Sequence, residues 1–341
     1  MNRTEISQLG EFGLIKRLTE NVKVRNTSTI YSVGDDAAVL DYHKKQILVT
    51  TDLLLEGIHF DLTYFPLKHL GYKAAVVNFS DIYAMNGQPK QITVSLGVSK
   101  RFSVEDLEEL YSGVELACEV YGVDLIGGDT SASVTGLCIS ISCIGKIDKD
   151  KAIYRNGAKM SDLIYVSGDL GAAYMGLQLL KREKAVFDGN SDFKPDFAGK
   201  EYLLERQLKP EARKDIVQLL NKNQIIPSSM IDISDGLSSE LLHICTQSQV
   251  GCAIYEERIP IDYQTAAQAE QFNMNVSTVA LNGGEDYELL FTVPLSMHEE
   301  IQAISGVTLI GHITDASSGT LLITRDNTQI PLVAQGWNSL L

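Results

Sequence analysis

The sequence predicts two domains, the first of which belongs to the α+β class. Its 341 residues exceed the roughly 150 that a single domain usually holds. The first half contains strand-like runs and about two long helices, without the regular strand–helix alternation of a βαβ repeat. The chain becomes wholly polar at 146–151, and this stretch predicts a boundary between domains at 1–148 and 149–341.

The elements of the first half follow from hydrophobic spacing and from capping signals. A short amphipathic segment at 9–18 opens the chain, and apolar residues at helical spacing predict a helix over 68–85. Ser103 and Asp106 resemble a capping box that starts a second helix, which ends at Gly122. Strand-like runs occupy 31–40, 46–52, 91–98, 123–126 and 137–147. A polar turn separates the first two runs as in a β-hairpin.

The second half repeats strands that lead into helices. Predicted strands are 163–166, 230–233 and 289–293, and predicted helices lie near 172–181, from 211 and after 236. The stretch 184–200 is polar and contains Gly and Pro, which predicts a flexible excursion. Ser234 or Asp235 is expected to cap the helix that follows.

Charge and cysteine usage exclude several classes of partner. With 29 basic and 44 acidic residues the net charge is −15, which argues against nucleic acid or an anionic membrane as the main partner. The five cysteines show no Cys-x-x-Cys spacing, so buried thiols are expected. We find no signal peptide and no apolar run of the ~20 residues that a membrane span requires, and a cytoplasmic location is expected.

Carboxylates flank the expected hairpin. Asp35 and Asp36 lie in its first run, and Thr50, Thr51 and Asp52 end its second. Antiparallel pairing would bring the two groups to the same end, where three carboxylates repel one another unless a cation lies between them. Oxygen ligands of this kind suit Mg²⁺. A solvated turn and a strand end explain either group alone, so it is the pairing that indicates a metal site.

Aspartates beside Gly, Ser or Thr recur along the chain. They occur at 34–36, 50–52, 127–130 and 232–236, and Asp81 shares a helix face with Asn78. The sequence has no P-loop, no nucleophile elbow and no protein-kinase catalytic set. Abundant oxygen ligands and glycine-rich backbone are typical of phosphoryl transfer in which metal ions supply most of the electrostatic stabilisation.

Several short motifs occur in a specific order. They are GEF at 10–12, GDDAA at 34–38, TTD at 50–52, EGIHF at 56–60, NFSD at 78–81, IGGDT at 126–130, IDISDGL at 231–237, GGEDYEL at 283–289 and GW at 336–337. Together they resemble the thiamine-monophosphate kinase family, over residue 10 to the C-terminus. Each motif is weak alone, but the ordered set is specific.

The resemblance implies a fold and a reaction. The fold is that of the aminoimidazole ribonucleotide synthetase-like superfamily. Its N-terminal α+β domain binds ATP and metal, and its sheet joins that of a second copy in a homodimer; an α/β domain follows. The implied reaction transfers a phosphoryl group from ATP to thiamine monophosphate, the last step of thiamine diphosphate biosynthesis.

The resemblance also implies roles for individual residues. Implied Mg²⁺ ligands are Asp36, Thr50, Thr51, Asp52, Asp81, Asp129, Asp232 and Asp235. Implied ATP contacts are Gly128, Arg155 and Ser234, and implied substrate contacts are His59, Glu285 and Trp337. Among these, Asp52, Asp129, Asp235 and Arg155 are the expected catalytic groups. The sequence leaves open how many Mg²⁺ ions bind and whether K⁺ is required. It also leaves open whether Asp35 contacts a metal ion and whether 184–200 closes over the site.

The chemistry is consistent with these residues. A phosphate monoester is already mostly dianionic at neutral pH, so no general base is needed and direct in-line transfer is expected. This requires aspartates that are distant in sequence to converge in one cleft. Three alternatives stay open on the carboxylates alone: another ATP-dependent synthetase of the superfamily, a metal-dependent phosphatase and a non-catalytic Ca²⁺-binding protein. No EF-hand loop is present, which weakens the last of these.

Overall fold

A computed structural model describes residues 17–31, 39–40, 42, 45–189 and 195–335. The chain forms two compact units. The first comprises the described residues up to Tyr83 together with Gly87–Ala152, and the second comprises Ala84–Asn86 and the described residues from Ile153 onward. The functional division at 148/149 stays a prediction. Among the described residues, no helix combines the length and the apolar character that crossing a bilayer requires.

The first unit combines a mixed sheet with two long helices among its described residues. Its strands are β1 (Thr29–Tyr31), β2 (Val39–Leu40), β3 (Lys45–Leu55), β4 (Gln88–Val98), β5 (Asp124–Ala132) and β6 (Cys138–Asp148). Its helices are α1 (Leu67–Ala84) and α2 (Val104–Tyr121). A four-stranded sheet has the order β3-β6-β4-β5, in which only the β4–β5 pair is parallel. This arrangement confirms the α+β prediction for the first half.

The two faces of this sheet differ in burial. Alternate residues of β4 and β6, including Val94 and Ile141, are buried. On the opposite face, Ile47, Val49 and Leu53 of β3 are 42%, 70% and 50% exposed. The side chains of successive strand residues point to opposite faces, so the sheet has one core face and one outer face.

Local capping signals predicted the start and the end of α2 correctly. The observed pairings of the strands β1, β2, β3 and β6 were not predicted from the sequence. The Ser103 hydroxyl oxygen accepts the Asp106 N–H, the Ser103 N–H donates to the Asp106 carboxylate in return, and Gly122 ends the helix at φ 70°. Among the described residues, β2 pairs with β1 and β3 pairs with β6. Residues 32–38, which form most of the first run of the predicted hairpin, lie outside the described residues, so the hairpin stays a prediction. Hairpin and sheet partners present the same alternation of apolar and polar residues, so sequence alone does not distinguish them.

The second unit is a mixed α/β domain. Its strands are β7 (Leu163–Ser167), β8 (Ser229–Asp232), β9 (Gly251–Tyr255), β10 (Leu289–Val293), β11 (Val307–Thr314), β12 (Thr320–Ile323) and β13 (Gln329–Pro331). They form a seven-stranded sheet of order β13-β12-β9-β11-β7-β10-β8, in which only β9 and β12 pair in parallel. All residues of β8 and β10 are buried, so these strands lie in the core.

Helices connect the strands of the second unit. They are α3 (Ala172–Gly189), α4 (Glu201–Leu208), α5 (Lys214–Lys222), α6 (Leu237–Ser248), α7 (Tyr263–Gln271), α8 (Val276–Asn282) and α9 (His298–Gln302). Two predictions need correction. Helix α3 continues through Gly189, so 184–189 is helical rather than an excursion, and the helix expected from Glu211 begins at Lys214. Residues 190–194 of the predicted excursion lie outside the described residues.

Candidate functional site

In the first unit, three predicted metal ligands meet on the core face of the sheet. Thr50 and Asp52 lie two apart on β3 and therefore share a face, and Asp81 lies on α1. The hydroxyl of Thr50 donates to Asp81 Oδ2 at 2.5 Å. Burial and, second to it, the negative charge of Asp81 raise the pKa of Asp52 to about 7. Asp52 Oδ2 is buried and has no hydrogen-bond partner.

This group of oxygens fits a divalent cation. Two carboxylates that repel each other, one of them with an unpartnered oxygen, are stabilised when a cation neutralises them. The ligand chemistry is that of Mg²⁺, which binds one or two carboxylates and completes its shell with water and phosphate oxygens. Within the described ranges, no group of three or more His, Cys, Asp or Glu side chains is arranged as a metal site. A cation here would therefore need oxygens from water or from a bound phosphate.

Thr51 and Asp129 do not belong to this group. Thr51 faces the opposite side of β3, where its hydroxyl donates to the Ile141 carbonyl at 3.2 Å and accepts from Ser142. Asp129 lies on β5 opposite Ser95 and is exposed. Strands β3 and β5 are the two edges of the sheet, three strand spacings or roughly 14 Å apart. In one copy of the unit, Asp52 and Asp129 therefore cannot both bind directly to a single Mg²⁺.

Gly128 has a structural requirement besides its predicted ATP contact. A Cβ at this position would lie 1.9 Å from the carbonyl oxygen of Val94 on the neighbouring strand. Only glycine permits this close approach, so the β4–β5 pairing by itself explains the residue. The ATP contact at Gly128 stays a prediction.

His59 has a defined tautomer. Its Nδ1 accepts a hydrogen bond from the Leu55 backbone N–H at 3.0 Å, and its own backbone N–H donates to the Leu55 carbonyl at 2.9 Å. Because Nδ1 is the acceptor, the proton of the neutral ring is on Nε2. The half-buried ring thus keeps one donor available for an anion.

In the second unit, two glycine-containing motifs come together. The Glu285 N–H donates to the Ser234 carbonyl at 2.7 Å, and the Tyr287 N–H donates to the Ile233 carbonyl at 2.8 Å. A Cβ on Gly284 would lie 2.6 Å from the Ser234 oxygen, and its φ of 70° is accessible chiefly to glycine. The sequence predicted sites in both motifs, and their direct pairing appears only in the structure. This pairing sets Glu285 beside Ser234.

Asp235 lies among charges of both signs. Burial raises the pKa of Asp235, while His243 and Arg155 lower it and Glu285 raises it further. Asp232, at the end of β8, is 4% exposed. The structure therefore brings together predicted metal, nucleotide and substrate residues of this unit. The exposed His243 was not predicted as a functional residue, since a single histidine on a helix carries no sequence signal.

Glu240 is a second group that the sequence analysis missed. It is 2% exposed, and its Oε1 accepts the Asp235 N–H at 2.9 Å. Burial raises its pKa to about 8, and its Oε2 has no partner. The capping prediction for Ser234 or Asp235 is wrong: the N-cap of α6 is Gly236, which makes no side-chain cap. Glu240 instead reaches back from the first turn and holds Asp235.

A buried ionic network lies behind Glu285. Asp286 and Glu288 are 1% and 2% exposed. Arg206 donates to Glu288 Oε1 at 2.9 Å, and Arg213 and Ser167 donate to its other oxygen. Such pairing offsets the large cost of burying a charge. The sequence showed two more acids in the motif but not the arginines, which lie 82 and 75 residues from Glu288 in the chain.

A pocket of about 310 Å³ adjoins this loop. Tyr174, Met274 and Val279 supply its apolar walls, and Asn282 and Gly283 lie at the side from which the chain continues to Glu285. Mixed aromatic and amide surface of this kind accommodates a small heterocycle.

Two predicted site residues, Asp36 and Trp337, lie outside the described residues.

Comparison with known proteins gives consistent results. Residues 34–147 match the family model described as AIR synthase related protein, N-terminal domain. The curated thiamine-monophosphate kinase of Aquifex aeolicus is 36% identical over 289 residues, which cover 85% of this chain and 87% of that protein. The Bacillus subtilis enzyme of the same name is 33% identical over 336 residues, or 97% of this chain and 99% of that protein.

Solved structures give the same result for the fold. A structure described as AaThiL complexed with AMPPCP and TMP has a TM-score of 0.74 and 32% identity, and the alignment covers 99% of each chain. Hydrogenase maturation protein HypE also aligns with a TM-score of 0.74, over 93% of this chain and 96% of that one. At 19% identity, the HypE alignment shows the shared fold alone.

Proposed function

This chain belongs to the thiamine-monophosphate kinase family, whose members are phosphotransferases, and on that premise we propose that it transfers the γ-phosphoryl group of ATP to thiamine monophosphate. The products are ADP and thiamine diphosphate, and the reaction is the last step of thiamine diphosphate biosynthesis. The observation that carries the proposal is the similarity over 97% of this chain and 99% of the Bacillus subtilis enzyme. The AaThiL structure with AMPPCP, an ATP analogue, and TMP supports the choice of substrates.

The main obstacle in this reaction is the charge of the two substrates. A phosphate dianion must approach a triphosphate, and the chain itself carries a net charge of −15. Mg²⁺, when bound, supplies the positive charge that lets the two anions meet. We assign Asp36, Thr50, Thr51, Asp52, Asp81, Asp129, Asp232 and Asp235 to hold several Mg²⁺ ions, and within one copy Asp52 and Asp129 would bind different ones. The unpartnered oxygen of Asp52 and the raised pKa values of Asp52 and Asp235 support this assignment.

Basic and backbone groups complete the nucleotide site. Arg155, whose charge acts on Asp235, is positioned to neutralise a phosphate in the transition state. Ser234 and Gly128 are assigned to contact ATP. We assign Asp52, Asp129, Asp235 and Arg155 as the catalytic groups, acting by charge stabilisation. No residue is assigned as a base, because the acceptor phosphate is already ionised.

The acceptor would be held through its cationic ring and its phosphate. Glu285 follows two residues after Gly283, which lines the 310 Å³ pocket, and its negative charge supports binding of a positively charged heterocycle. Trp337 would supply a stacking face. His59, whose Nε2 carries the proton, would donate to an anionic oxygen. These three residues are the proposed substrate contacts.

The activity is tested with purified protein, ATP and Mg²⁺. Thiamine monophosphate should give ADP and thiamine diphosphate in equal amounts. Chromatography measures both products. Unphosphorylated thiamine is the matched control and should release no ADP. If ADP forms at the same rate with and without thiamine monophosphate, the protein is an ATPase or a phosphatase, and the proposal is overturned.

Direct in-line transfer is tested by stereochemistry. ATP that is isotopically chiral at its γ-phosphorus should yield thiamine diphosphate with inverted configuration, because a single displacement inverts phosphorus. Retention would reveal two displacements and therefore a phosphorylated enzyme intermediate. The same preparation can be quenched in alkali and examined for phosphohistidine, and quenched in acid and examined for aspartyl phosphate.

A homodimer is the proposed assembly. The outer face of the first unit's sheet exposes Ile47, Val49 and Leu53, which are apolar residues on an edge strand. Exposed apolar surface on an edge strand favours association, and covering it by a second copy removes this liability. We assign residues 1–148 to ATP and metal binding and to dimerisation.

A cytoplasmic location is the proposed one. The five cysteines are free, which supports a reducing compartment.

A further inference from the structure

Glu285 has an unusual backbone conformation. Its φ is 59°, and Gly284 and Tyr287 also have positive φ values of 70° and 52°. A non-glycine residue in the left-handed region costs free energy and persists only where the surroundings impose it. The bonds from the Glu285 and Tyr287 amides to the 233–235 segment hold this backbone. They do not determine where the Glu285 carboxylate points.

The carboxylate is oriented by a residue of α4. Gln207 is 1% exposed, and its Nε2 donates to Glu285 Oε2 at 2.8 Å. This bond joins residues 78 apart in sequence. A buried amide held in one place restricts the carboxylate to one rotamer, which lowers the entropy that ligand binding would otherwise cost.

Helix α4 is in turn fixed to the same loop. Arg206, beside Gln207, donates to Glu288 Oε1 at 2.9 Å and to the Asp169 carbonyl at 3.0 Å, and lies 3.8 Å from Asp286. Arg213 pairs with the other oxygen of Glu288. The two arginines thus pair with Glu288 and, in the case of Arg206, also lie near Asp286. The Glu285 carboxylate accepts from the neutral amide of Gln207.

We propose that Gln207 is a positioning residue that orients Glu285 for recognition of the positive charge on the acceptor's ring. An amide orients a carboxylate without cancelling its charge, whereas Lys or Arg at this position would neutralise the group that must attract the cation. The inference rests on the proposed function, in which Glu285 contacts the acceptor. It makes Gln207 a determinant of acceptor specificity that does not itself touch the acceptor.

The test compares two acceptors. One is thiamine monophosphate, and the other is its thiophene isostere, which has the same shape but an uncharged ring. Gln207→Leu should raise the KM for thiamine monophosphate about tenfold, with kcat and the KM for ATP near wild type. Preference for the charged over the uncharged acceptor, as a ratio of kcat/KM values, should fall about tenfold. Gln207→Met serves as a second variant if Gln207→Leu folds poorly.

A matched control distinguishes positioning from packing. Gln218 is exposed on α5, and Gln218→Leu should leave every parameter unchanged. If Gln207→Leu lowers kcat/KM for both acceptors equally, Gln207 is merely structural and the inference fails. An unchanged acceptor preference in an active variant also overturns it. A wild-type protein that phosphorylates neither acceptor would refute the proposed function itself, and this inference with it.

Discussion

At the scale of single residues, the proposed role of Asp52 as a metal ligand can be separated from a structural role. Its Oδ2 is buried without a partner, and Asp81 adds negative charge nearby. Asp52→Asn removes this repulsion, so the metal-free protein should unfold at the same or a slightly higher temperature. Activity should fall at least about 100-fold, because the proposed ligand is lost.

Calorimetry in EDTA and the ADP assay measure the two effects of Asp52→Asn. Asp150→Asn is a suitable control, because Asp150 is exposed at φ 61°, a conformation that asparagine tolerates. It should leave both quantities unchanged. A large drop in the unfolding temperature of the metal-free Asp52 variant would mean that the carboxylate is structural.

Asp286 couples stability to pH. Burial raises its pKa to about 7, although Arg206 and the Gly171 and Ala173 amides favour the charged form. An unfolded aspartate titrates near about 3.9, so between these values the folded chain retains a proton that the unfolded chain has released. The stabilisation is complete below about pH 4 and is lost as pH rises through about 7.

Asp286→Asn should remove this pH dependence. Asparagine carries no proton to lose, so the variant should gain stability relative to wild type between about pH 5 and about pH 8, by on the order of 2–3 kcal/mol. Urea unfolding across that range gives both free energies of unfolding. A difference in stability between variant and wild type that stays constant from about pH 5 to about pH 8 would mean that the buried group is a carboxylate throughout.

At the scale of elements, α6 begins without an ordinary side-chain cap. Glu240 accepts the Asp235 N–H and so holds the chain at the helix start from inside the first turn. Glu240→Ala should therefore lower the free energy of unfolding by about 1–2 kcal/mol, and Glu240→Gln, which keeps an oxygen acceptor, should restore most of it. Urea unfolding measures both, with exposed Glu205→Ala on α4 as the control. Equal stability of Glu240→Ala and wild type would show that this bond contributes nothing.

Elements whose signals are local could be predicted from the sequence. The Ser103 capping box and Gly122 defined α2 because each cap involves residues at most a few positions apart. The partner of β3 could not be predicted, since β6 lies about 90 residues further along and alternates in the same way. The start of α6 after residue 236 was predicted, but its cap was not, because Glu240 accepts the Asp235 N–H from inside the first turn.

The same distinction applies to the candidate site. Motif order identified Ser234, Asp235 and Glu285, and the structure brings these residues together. The order of the motifs could not identify Gln207, Arg206 or Arg213, because a buried partner is recognised by its position in space and not by its residue type. Register further shows that Asp52 and Asp129 lie on opposite edges of one sheet, which similar Asp-containing motifs did not reveal.

At the scale of the whole molecule, the outer face of the first unit's sheet is where assembly can be tested. Val49 is 70% exposed at the middle of edge strand β3. A lysine there would put charge into an apolar dimer interface, so Val49→Lys should convert a dimer to a monomer in sedimentation equilibrium. Val134→Lys changes the same residue type where it is 99% exposed outside the sheet, and should leave the mass unchanged. A Val49 variant that stays dimeric would exclude this face as the interface.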